Sequence, residues 1–406
     1  MAKSNIYVGL EIGTSKICVV VGEVRGDGAI KILGVGQAPS RGVRKGEIVD
    51  FATAQTCLHD ALVRAEDRSD VMVRNVFLAI TGAHIESLNN RGCIRIPDDQ
   101  NEITEEDLEE VKEIARDVSI PQQNAFLHSV IQHYYVDGQE KVLDPVGMLG
   151  RKLEADYHII HGIRTRIQNT IRCVREIPLE VEDVVFSAIA SAQVVLSKEA
   201  KQRGALVLDV GGGTSDYVLY ADGAITASGS FGIGGDHITN DVSLVTKVPL
   251  AMAEKLKIEE GSASLDDSSE GEMIDLKGDT RFAGQSVDRR LLHQVINARS
   301  TEILNLLKKR VEDSGQVGRV GAGLYLTGGC SLLTGFDRLA EEIFGMPVHR
   351  ASSTPISGLT ATFENPQYAT PIGLIRYAQI LEGERQQVGV MAGIGRKITG
   401  MLGVSR

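Results

Sequence analysis

An apolar strand that runs through an acidic residue into a Gly-Thr turn occurs twice in this chain of 406 residues. The first copy is LEIGTSK at residues 10–16, and the second is DVGGGTSD at residues 209–216. A second strand-like segment follows each turn, so a strand, a turn and a strand are repeated at a domain-sized separation. A chain of this length exceeds one compact core. The sequence therefore predicts two α/β halves with one duplicated architecture.

Both turns carry the groups that bind a phosphate. Glycines let backbone amides approach an anion closely, and the hydroxyls of Thr14 and Thr214 add donors. Lys16 supplies a point charge for a terminal phosphate, while Glu11 and Asp209 can hold water molecules on a Mg²⁺ ion. Neither turn is a Walker loop, since GxxxxGK[ST] occurs nowhere in the chain. One Gly-Thr turn is usually only a tight turn, but two at this separation indicate a phosphate site.

A third glycine cluster, LTGGCSLLTG, lies at residues 326–335 after the strand-like segment 322–326. Small residues there would allow a flat purine to lie against the backbone. Two further segments fit a nucleotide site, namely FGIGGD at residues 231–236 and the helical AEKLK at residues 253–257.

In this order, and over the whole length of the chain, the three loops resemble the phosphate-1, phosphate-2 and adenosine motifs of the actin/Hsp70/hexokinase superfamily. The resemblance implies an α/β, actin-like (duplicated ribonuclease-H-like) two-domain ATPase fold that binds ATP and Mg²⁺. It implies two metal-binding carboxylates, Glu11 and Asp209, although Glu11 replaces the usual aspartate and has a longer reach. The ATP-binding residues that it implies are Gly13, Thr14, Ser15, Lys16, Gly211, Gly212, Gly213, Thr214, Gly234, Gly235, Glu254, Lys257, Gly328 and Gly329.

Four segments are similar in detail to the FtsA family of bacterial cell-division actin homologues. They are GLEIGT at residues 9–14, PSRG at 39–42, NPQYATPIGL at 365–374, and an inserted module at 84–162. In that family the insertion replaces the outer subdomain of actin, and the protein tethers the tubulin-like division protein FtsZ to the inner membrane. The resemblance implies a self-associating ATP-binding scaffold at the division septum, which also helps to recruit later divisome membrane proteins.

The resemblance also places the site for the FtsZ C-terminal tail on the outer part of the second domain, around a helix at residues 291–311. Arg289 and Arg299 are the candidates for pairing with an acidic peptide. The alternative is that both are ordinary solvated arginines.

A soluble ATPase or small-molecule kinase of the same superfamily is the alternative function. A kinase needs a carboxylate base for the acceptor hydroxyl. Asp216 is a formal candidate, but non-kinases of the superfamily share this residue. Ser187 aligns with the glutamine that orients the attacking water in actin. Because serine is a short and poor base, we expect at most slow ATP hydrolysis and no metabolic enzyme activity.

The predicted division of the chain follows these motifs. Residues 1–83, 163–198 and 365–382 form the first core subdomain, and residues 84–162 form an inserted α+β subdomain. Residues 199–243 and 320–364 form the second core subdomain, with residues 244–319 as its outer subdomain. Residues 383–389 are a polar linker, and residues 390–406 are an amphipathic helix.

The last seventeen residues favour a membrane surface, with docking onto the protein's own core as the alternative. The apolar residues fall within about 120° of a helical wheel, with a lysine at the edge. The predicted membrane-binding residues are Val390, Met391, Ile394, Lys397, Ile398, Met401 and Leu402. No run reaches the roughly 18 apolar residues of a spanning helix, so we expect a cytoplasmic protein that lies peripherally on inner-membrane lipids. The net charge of −11 argues against nucleic acid as a partner.

Overall fold

The computed structural model describes residues 5–26, 28–97, 101–139, 141–265, 271–278, 284–351 and 365–392. A five-stranded sheet forms the first half, and β-branched residues fill its strands. Its strands are β1 (Ile6–Ile12), β2 (Lys16–Val24), β3 (Ile30–Pro39), β6 (Asn75–Ile80) and β10 (Glu180–Phe186). The order is β10-β6-β1-β2-β3, in which β1, β2 and β3 are antiparallel while β10, β6 and β1 are parallel. A short hairpin of β4 (Val43–Arg44) and β5 (Glu47–Ile48) follows β3.

The second half repeats this arrangement. Its strands are β11 (Ala205–Val210), β12 (Ser215–Ala221), β13 (Ala224–Phe231), β16 (Leu324–Thr327) and β17 (Val348–Arg350). The order is β13-β12-β11-β16-β17, with three antiparallel strands followed by two parallel ones. The predicted duplication is therefore confirmed strand for strand.

Two helices lie between the sheets, α4 (Ser187–Val195) and α10 (Ala369–Ala392). The helix α10 packs on β1, β2 and β6, while α4 packs on β11 and β12. Nearly all of α4 is buried, since its sequence SAIASAQVV consists mainly of small and apolar residues. On the other face of the first sheet, α1 (Phe51–Ser69) covers β2 and β3. Its start is fixed by Asp50, whose side chain accepts a hydrogen bond from the Thr53 amide at 3.2 Å.

The inserted module forms a separate small core. It consists of β7 (Ile85–Arg95), α2 (Glu105–Arg116), β8 (Asn124–Val136) and β9 (Lys152–Ile163). The strands form an antiparallel sheet in the order β7-β9-β8, against which α2 packs. A capping box begins α2, because the side chains of Thr104 and Asp107 each accept a hydrogen bond from the other's backbone amide. Two helices lead back to the second half, α3 (Arg164–Arg175) and α5 (Lys198–Arg203).

Helices dominate the outer part of the second half. They are α6 (Gly235–Thr246), α7 (Leu250–Glu259) and α8 (Arg289–Asp313), with the short strands β14 (Met273–Leu276) and β15 (Gln285–Asp288) between α7 and α8. One more helix, α9 (Phe336–Phe344), packs against α8 and β17. The predicted boundary at 243/244 falls inside α6, which runs from the nucleotide-facing loops into the outer part.

The C-terminal helix differs from the prediction for residues 383–389. They continue α10 instead of forming a linker. The stretch EGERQQV is rich in strong helix formers, which outweigh the cost of about 1 kcal/mol for each glycine. Val390 and Met391 lie in this helix, whereas Ile394, Lys397, Ile398, Met401 and Leu402 lie outside the described residues. Within the described ranges, every helix is too short or too polar to span a lipid bilayer.

Candidate functional site

A cavity of about 340 Å³ opens between the two halves of the chain. Both Gly-Thr turns line it, one from each half, together with the third glycine cluster and the helix α7. The duplicated topology explains this arrangement, because the first two strands of each sheet form a hairpin whose turn points to the same gap. The predicted residues that line it are Glu11, Gly13, Thr14, Ser15, Lys16, Asp209, Gly211, Gly212, Gly213, Thr214, Gly235, Glu254, Lys257, Gly328 and Gly329.

Gly234 is the predicted ATP-binding residue that does not line the cavity. It stands just before α6, and a Cβ at this position would lie 2.5 Å from the carbonyl oxygen of Gly211. The glycine is therefore needed for the close approach of α6 to the second phosphate loop, which makes its contribution to the site indirect.

The first loop is closed by a hydrogen bond from the Gly13 amide to the Lys16 carbonyl at 3.0 Å. The Lys16 ammonium lies 3.4 Å from the Glu11 carboxylate and also donates to the Gln367 carbonyl. Burial raises the pKa of Glu11, and although Lys16 opposes this shift, Asp209 adds to it. Burial works against the charged form of Lys16, but Glu11 keeps the pKa of Lys16 above its ordinary value. The ammonium is therefore charged and faces the cavity.

The second loop is closed in the same way, by the Gly211 amide and the Thr214 carbonyl at 2.9 Å. Asp209 accepts hydrogen bonds from Ser191 on α4 at 2.6 Å and from Thr370 on α10 at 3.0 Å. The two helices between the sheets thus fix this carboxylate at the centre of the molecule. Burial raises the pKa of Asp209, although the two hydroxyls partly oppose the shift.

Asp216 is a third buried carboxyl group at the cavity. It accepts a hydrogen bond from Thr81 at 2.7 Å, across the gap between the halves. Burial, followed by repulsion from Asp209, raises the pKa of Asp216 to about 8. Ser187, which aligns with the water-orienting glutamine of actin, also lines the cavity, but its hydroxyl donates to the Ile80 carbonyl at 3.1 Å.

The opposite end of the cavity is suited to a nucleoside. The Lys257 ammonium donates to the Glu254 carboxylate at 2.7 Å and to the Thr239 hydroxyl at 2.9 Å. Glu254 and Lys257, both on α7, line the cavity. Two apolar side chains of the lining, Ile258 and Leu332, are substantially exposed. Such a pair offers a flat base apolar contact on a site otherwise lined by polar atoms.

Several lining residues were not predicted as ATP-binding or metal-binding residues. Thr81 directly follows β6, and ligand-binding residues are typically found just after the carboxyl ends of parallel strands. Pro366, Gln367 and Thr370 belong to the segment 365–374, which pointed to the family without a role for each residue. The others are Asp216, Ser187, Asp236, Ile238, Ile258, Cys330, Leu332 and Leu333. The apolar residues of this lining cannot be recognised in a single sequence, because an apolar side chain that lines a cavity looks the same there as one that packs in the core.

The cavity fits a hydrated Mg²⁺ ion. Mg²⁺ in such sites takes one or two carboxylates, phosphate oxygens and several waters. Glu11, Asp209 and Asp216 all line the cavity, and burial raises the pKa of each carboxyl group, a shift that a cation held among them would oppose. No group of three or more His, Cys, Asp or Glu side chains arranged to hold a metal directly occurs within the described ranges. Water-mediated binding by Glu11 and Asp209 is consistent with this arrangement.

The two candidate partner-binding arginines lie on α8, far along the chain from the phosphate loops. Arg299 pairs with Asp241 at 2.5 Å and with Glu302 at 2.6 Å. Arg289 pairs with Glu260 at 2.7 Å and with Glu272 at 2.9 Å. A partner's carboxylate would therefore have to compete with internal acidic groups at both positions.

Paired sheets of one topology that close over a glycine-lined cavity define the actin-like class of proteins. Solved structures share this fold. The PilM-PilN type IV pilus biogenesis complex matches with a TM-score of 0.64 and 17% identity, covering 91% of this chain and 97% of that one. MreB5 of Spiroplasma citri, solved bound to ADP, matches with a TM-score of 0.57 and 14% identity, covering 94% and 98%. The predicted actin-like two-domain fold with an inserted subdomain is confirmed.

Sequence relatives narrow the class to one family. The family model described as cell division protein FtsA matches residues 206–373, and that of the SHS2 domain inserted in FtsA matches residues 82–161. Cell division protein FtsA of Neisseria meningitidis is 37% identical over 93% of this chain and 91% of its own. Its counterpart in Pseudomonas aeruginosa is 36% identical over 92% and 89%. The chain belongs to the FtsA family, and its role is in cell division.

Proposed function

We propose that this protein is an ATP-binding, self-associating scaffold that tethers the FtsZ ring to the cytoplasmic membrane and helps recruit later divisome membrane proteins. The observation that carries the proposal is the cavity itself, where one phosphate loop from each half meets the other in a chain of the FtsA family. A ligand with several phosphates would contact both halves at once, so its binding would favour one relative position of the halves. The MreB5 structures bound to ADP and to AMPPNP have the same fold.

The site supports slow rather than fast turnover. An efficient hydrolase needs a positioned base or a water-orienting group within hydrogen-bond reach of the attacking water. Ser187, which aligns with the water-orienting glutamine of actin, already donates to a backbone carbonyl, and serine is a poor base. We infer that ATP acts here mainly as a conformational and assembly switch.

Calorimetric titration with Mg-ATP, followed by steady-state hydrolysis, tests this function. We expect binding, turnover of well under one ATP per second, and no phosphoryl transfer to small molecules. Asp209→Ala should weaken Mg-ATP binding by at least about tenfold, because the carboxylate that holds the hydrated ion is lost. Asp60→Ala, at an exposed site on α1, is the matched control and should bind normally. Fast hydrolysis or sugar phosphorylation would favour the soluble kinase or ATPase instead.

Recognition of the FtsZ tail is the partner part of the proposal. The tail would lie along α8, where an acidic peptide would replace the internal partners of Arg299. The pair of Arg299 with Glu302 is exposed, and such pairs contribute only about 0–1 kcal/mol, so exchanging this carboxylate for one of the peptide costs little. Arg299→Glu should reduce peptide binding several-fold, while Lys309→Glu on an exposed position of the same helix is the charge-matched control. Equal binding by both variants would remove Arg299 from the partner site.

A further inference from the structure

A polar contact joins the inserted module to strand β13 of the second half. Asn89 on β7 faces β13 and donates a hydrogen bond to the Thr226 carbonyl at 2.9 Å. Asn90 lies on the other face of β7, because side chains alternate along a strand, and donates to the Ala115 carbonyl of α2 at 2.9 Å. Two neighbouring asparagines therefore make different bonds, one between the module and the second half and one within the module.

The ring of His158, on β9, holds Asn89 in place. This ring is almost completely buried, with Nδ1 at 2.6 Å from Oδ1 of Asn89 and Nε2 at 2.8 Å from the Ser228 hydroxyl. Because the NH₂ group of Asn89 donates to a carbonyl, its Oδ1 faces the ring and accepts the Nδ1 proton. Nε2 then accepts the proton of Ser228, and Gln132 donates to the same Oδ1 at 3.2 Å. Both polar atoms of the Asn89 amide are engaged, which fixes the amide in one orientation.

The imidazole is suited to this role because it stays neutral. Burial lowers the pKa of His158 to about 3, and His128 adds to the shift. A neutral imidazole has one donor and one acceptor, which match the Asn89 oxygen and the Ser228 hydroxyl. A side chain without nitrogen atoms at this position would therefore remove the group that turns Asn89 towards β13.

The module is attached more firmly to the first half than to the second. Its Ile85 and Ile160 belong to the apolar core of the first half, whereas the apolar cluster on the outer face of the second sheet includes no described residue of the module. Asn89 is exposed and lines a second cavity of about 500 Å³ between the module and the second half. At the far end of β13, Lys141 of the module pairs with Asp222, but both side chains are exposed. Water can replace such polar bonds, so the contact with β13 opens more easily than the apolar contact with the first half.

We propose that the inserted module is a latch on the second half, and that His158 is the positioning residue that keeps the latch closed. In the closed state, the ring holds Asn89 on the Thr226 carbonyl. The module, which is fixed to the first half, thereby restrains the second half. In the open state, Asn89 and β13 bond to water instead, and the two halves are free to change their relative position.

Hydrogen–deuterium exchange of the full-length, ligand-free chain tests the latch. The amides of Thr226 and Ser228 point to the same side of β13 as their carbonyls, so the module covers them. Asn89→Ala should speed exchange in peptides from β13 about fivefold or more, because the bond that closes the latch is lost, and should leave α2 unchanged. Asn90→Ala is the matched control, since it should speed exchange in α2 and leave β13 unchanged. Equal exchange of β13 in the two variants would overturn the latch.

A second set of variants tests whether His158 acts through Asn89. His158→Leu should speed exchange in β13 as much as Asn89→Ala does, and the double variant should exchange no faster than either single variant. His158→Asn can still donate to the Asn89 oxygen, so it should restore slow exchange at least in part. Additive effects, or no rescue by His158→Asn, would show that His158 does not position Asn89. Because Asn89 is exposed, the comparison of Asn89→Ala with Asn90→Ala stands even if His158→Leu fails to fold.

The distance between the halves is the direct readout of the open state. Spin labels on Asp60→Cys of α1 and Lys309→Cys of α8 lie at exposed positions of the two halves, in a chain with the exposed Cys93 replaced by serine. Asn89→Ala should broaden the distribution of distances between the labels, whereas Asn90→Ala should keep the wild-type distribution. An unchanged distribution in Asn89→Ala would mean that the module does not restrain the halves. These measurements use no nucleotide, so their failure would leave the proposed ATP binding in place.

Discussion

Asp216 shows how the cavity changes the chemistry of a single residue. Burial raises its pKa to about 8, while the Thr81 hydroxyl holds the carboxyl group in place across the gap between the halves. The motif DVGGGTSD marks both Asp209 and Asp216 as polar residues on a strand, but it does not reveal that Asp216 is buried and Asp209 partly buried between the two halves. Their proximity to Glu11, more than 190 positions earlier in the sequence, is a tertiary contact and is invisible to spacing.

A pH dependence of stability follows from Asp216. The unfolded chain releases this proton near pH 4, whereas the folded chain keeps it up to about pH 8. The folded state thus binds more protons between these values, so the free energy of unfolding falls as pH rises, by at most about 1.4 kcal/mol per pH unit. Above pH 8 this contribution levels off. Asp216→Asn cannot titrate and should lose this dependence.

Urea unfolding of the ligand-free protein between pH 5.5 and 8.5 measures the effect. The difference in unfolding free energy, wild type minus Asp216→Asn, should decrease steadily across that range. Asp60→Asn, at an exposed position, should give a profile parallel to the wild type. Parallel profiles for Asp216→Asn and the wild type would show that the folded protein does not retain this proton.

At the scale of elements, the helix of the outer subdomain shows how closely a sequence pattern can locate an element. The helix predicted at 291–311 is found at Arg289–Asp313, because Asp288 caps its start. Residues 383–389, predicted as a polar linker, instead continue α10, because helix formers predominate in this stretch. Contacts between elements could not be predicted. The bond between Gly46 and Thr14 joins segments that have no sequence pattern in common.

Two glycines of α10 should respond oppositely to alanine. At Gly373, a Cβ would overlap the carbonyl group of Ala190 in α4, so the two helices approach closely only because this residue is glycine. Gly373→Ala should cost about 1–3 kcal/mol in unfolding free energy by overpacking. At Gly383, a Cβ would meet no atom within 4 Å, so Gly383→Ala should stabilise by about 0.5–1 kcal/mol.

Chemical denaturation of both variants tests this pair. Both variants replace glycine by alanine in the same helix, so the gain in helix propensity is similar in the two. Opposite signs of the change in unfolding free energy would therefore report the difference in packing. Stabilisation by Gly373→Ala would mean that α4 and α10 are further apart than the structure places them. Thr370 on α10 and Ser191 on α4 both donate hydrogen bonds to Asp209. Because Gly373→Ala would push these helices apart and displace the Asp209 carboxylate, it should also weaken nucleotide binding.

At the scale of the whole molecule, the inserted module touches both halves. Three of its side chains cap the free edge of β13, with Ser87 donating to the Ser228 carbonyl at 2.7 Å, Asn89 to that of Thr226 at 2.9 Å and Gln132 to that of Ile225 at 2.6 Å. These bonds satisfy carbonyls that an edge strand would otherwise expose. A rotation of the halves around the cavity must therefore move or break this contact.

Self-association would link the same cavity to the membrane tail. Six apolar residues share one face of the predicted tail helix, and full burial of each large side chain contributes roughly 1.5–3 kcal/mol. Burial at an interface is partial, and ordering a glycine-rich segment opposes it. One copy should therefore bind vesicles weakly, whereas an assembly with many copies should bind tightly through avidity. ATP, by promoting assembly, should raise vesicle binding without contacting the tail.

Co-sedimentation with vesicles that contain anionic lipid, with and without Mg-ATP, tests this mechanism. Deletion of residues 390–406 should abolish sedimentation while ATP affinity stays unchanged, and Ile398→Glu should largely reproduce the deletion by placing a charge on the apolar face. Thr399→Glu adds the same charge outside that face, so it should sediment nearly as the wild type does. Asp209→Ala should keep the weak binding of a single copy but lose the increase with ATP. Undiminished sedimentation of the truncated chain would refute the membrane tether. An equal loss of sedimentation in Ile398→Glu and Thr399→Glu would show that charge alone, rather than an apolar face, governs vesicle binding.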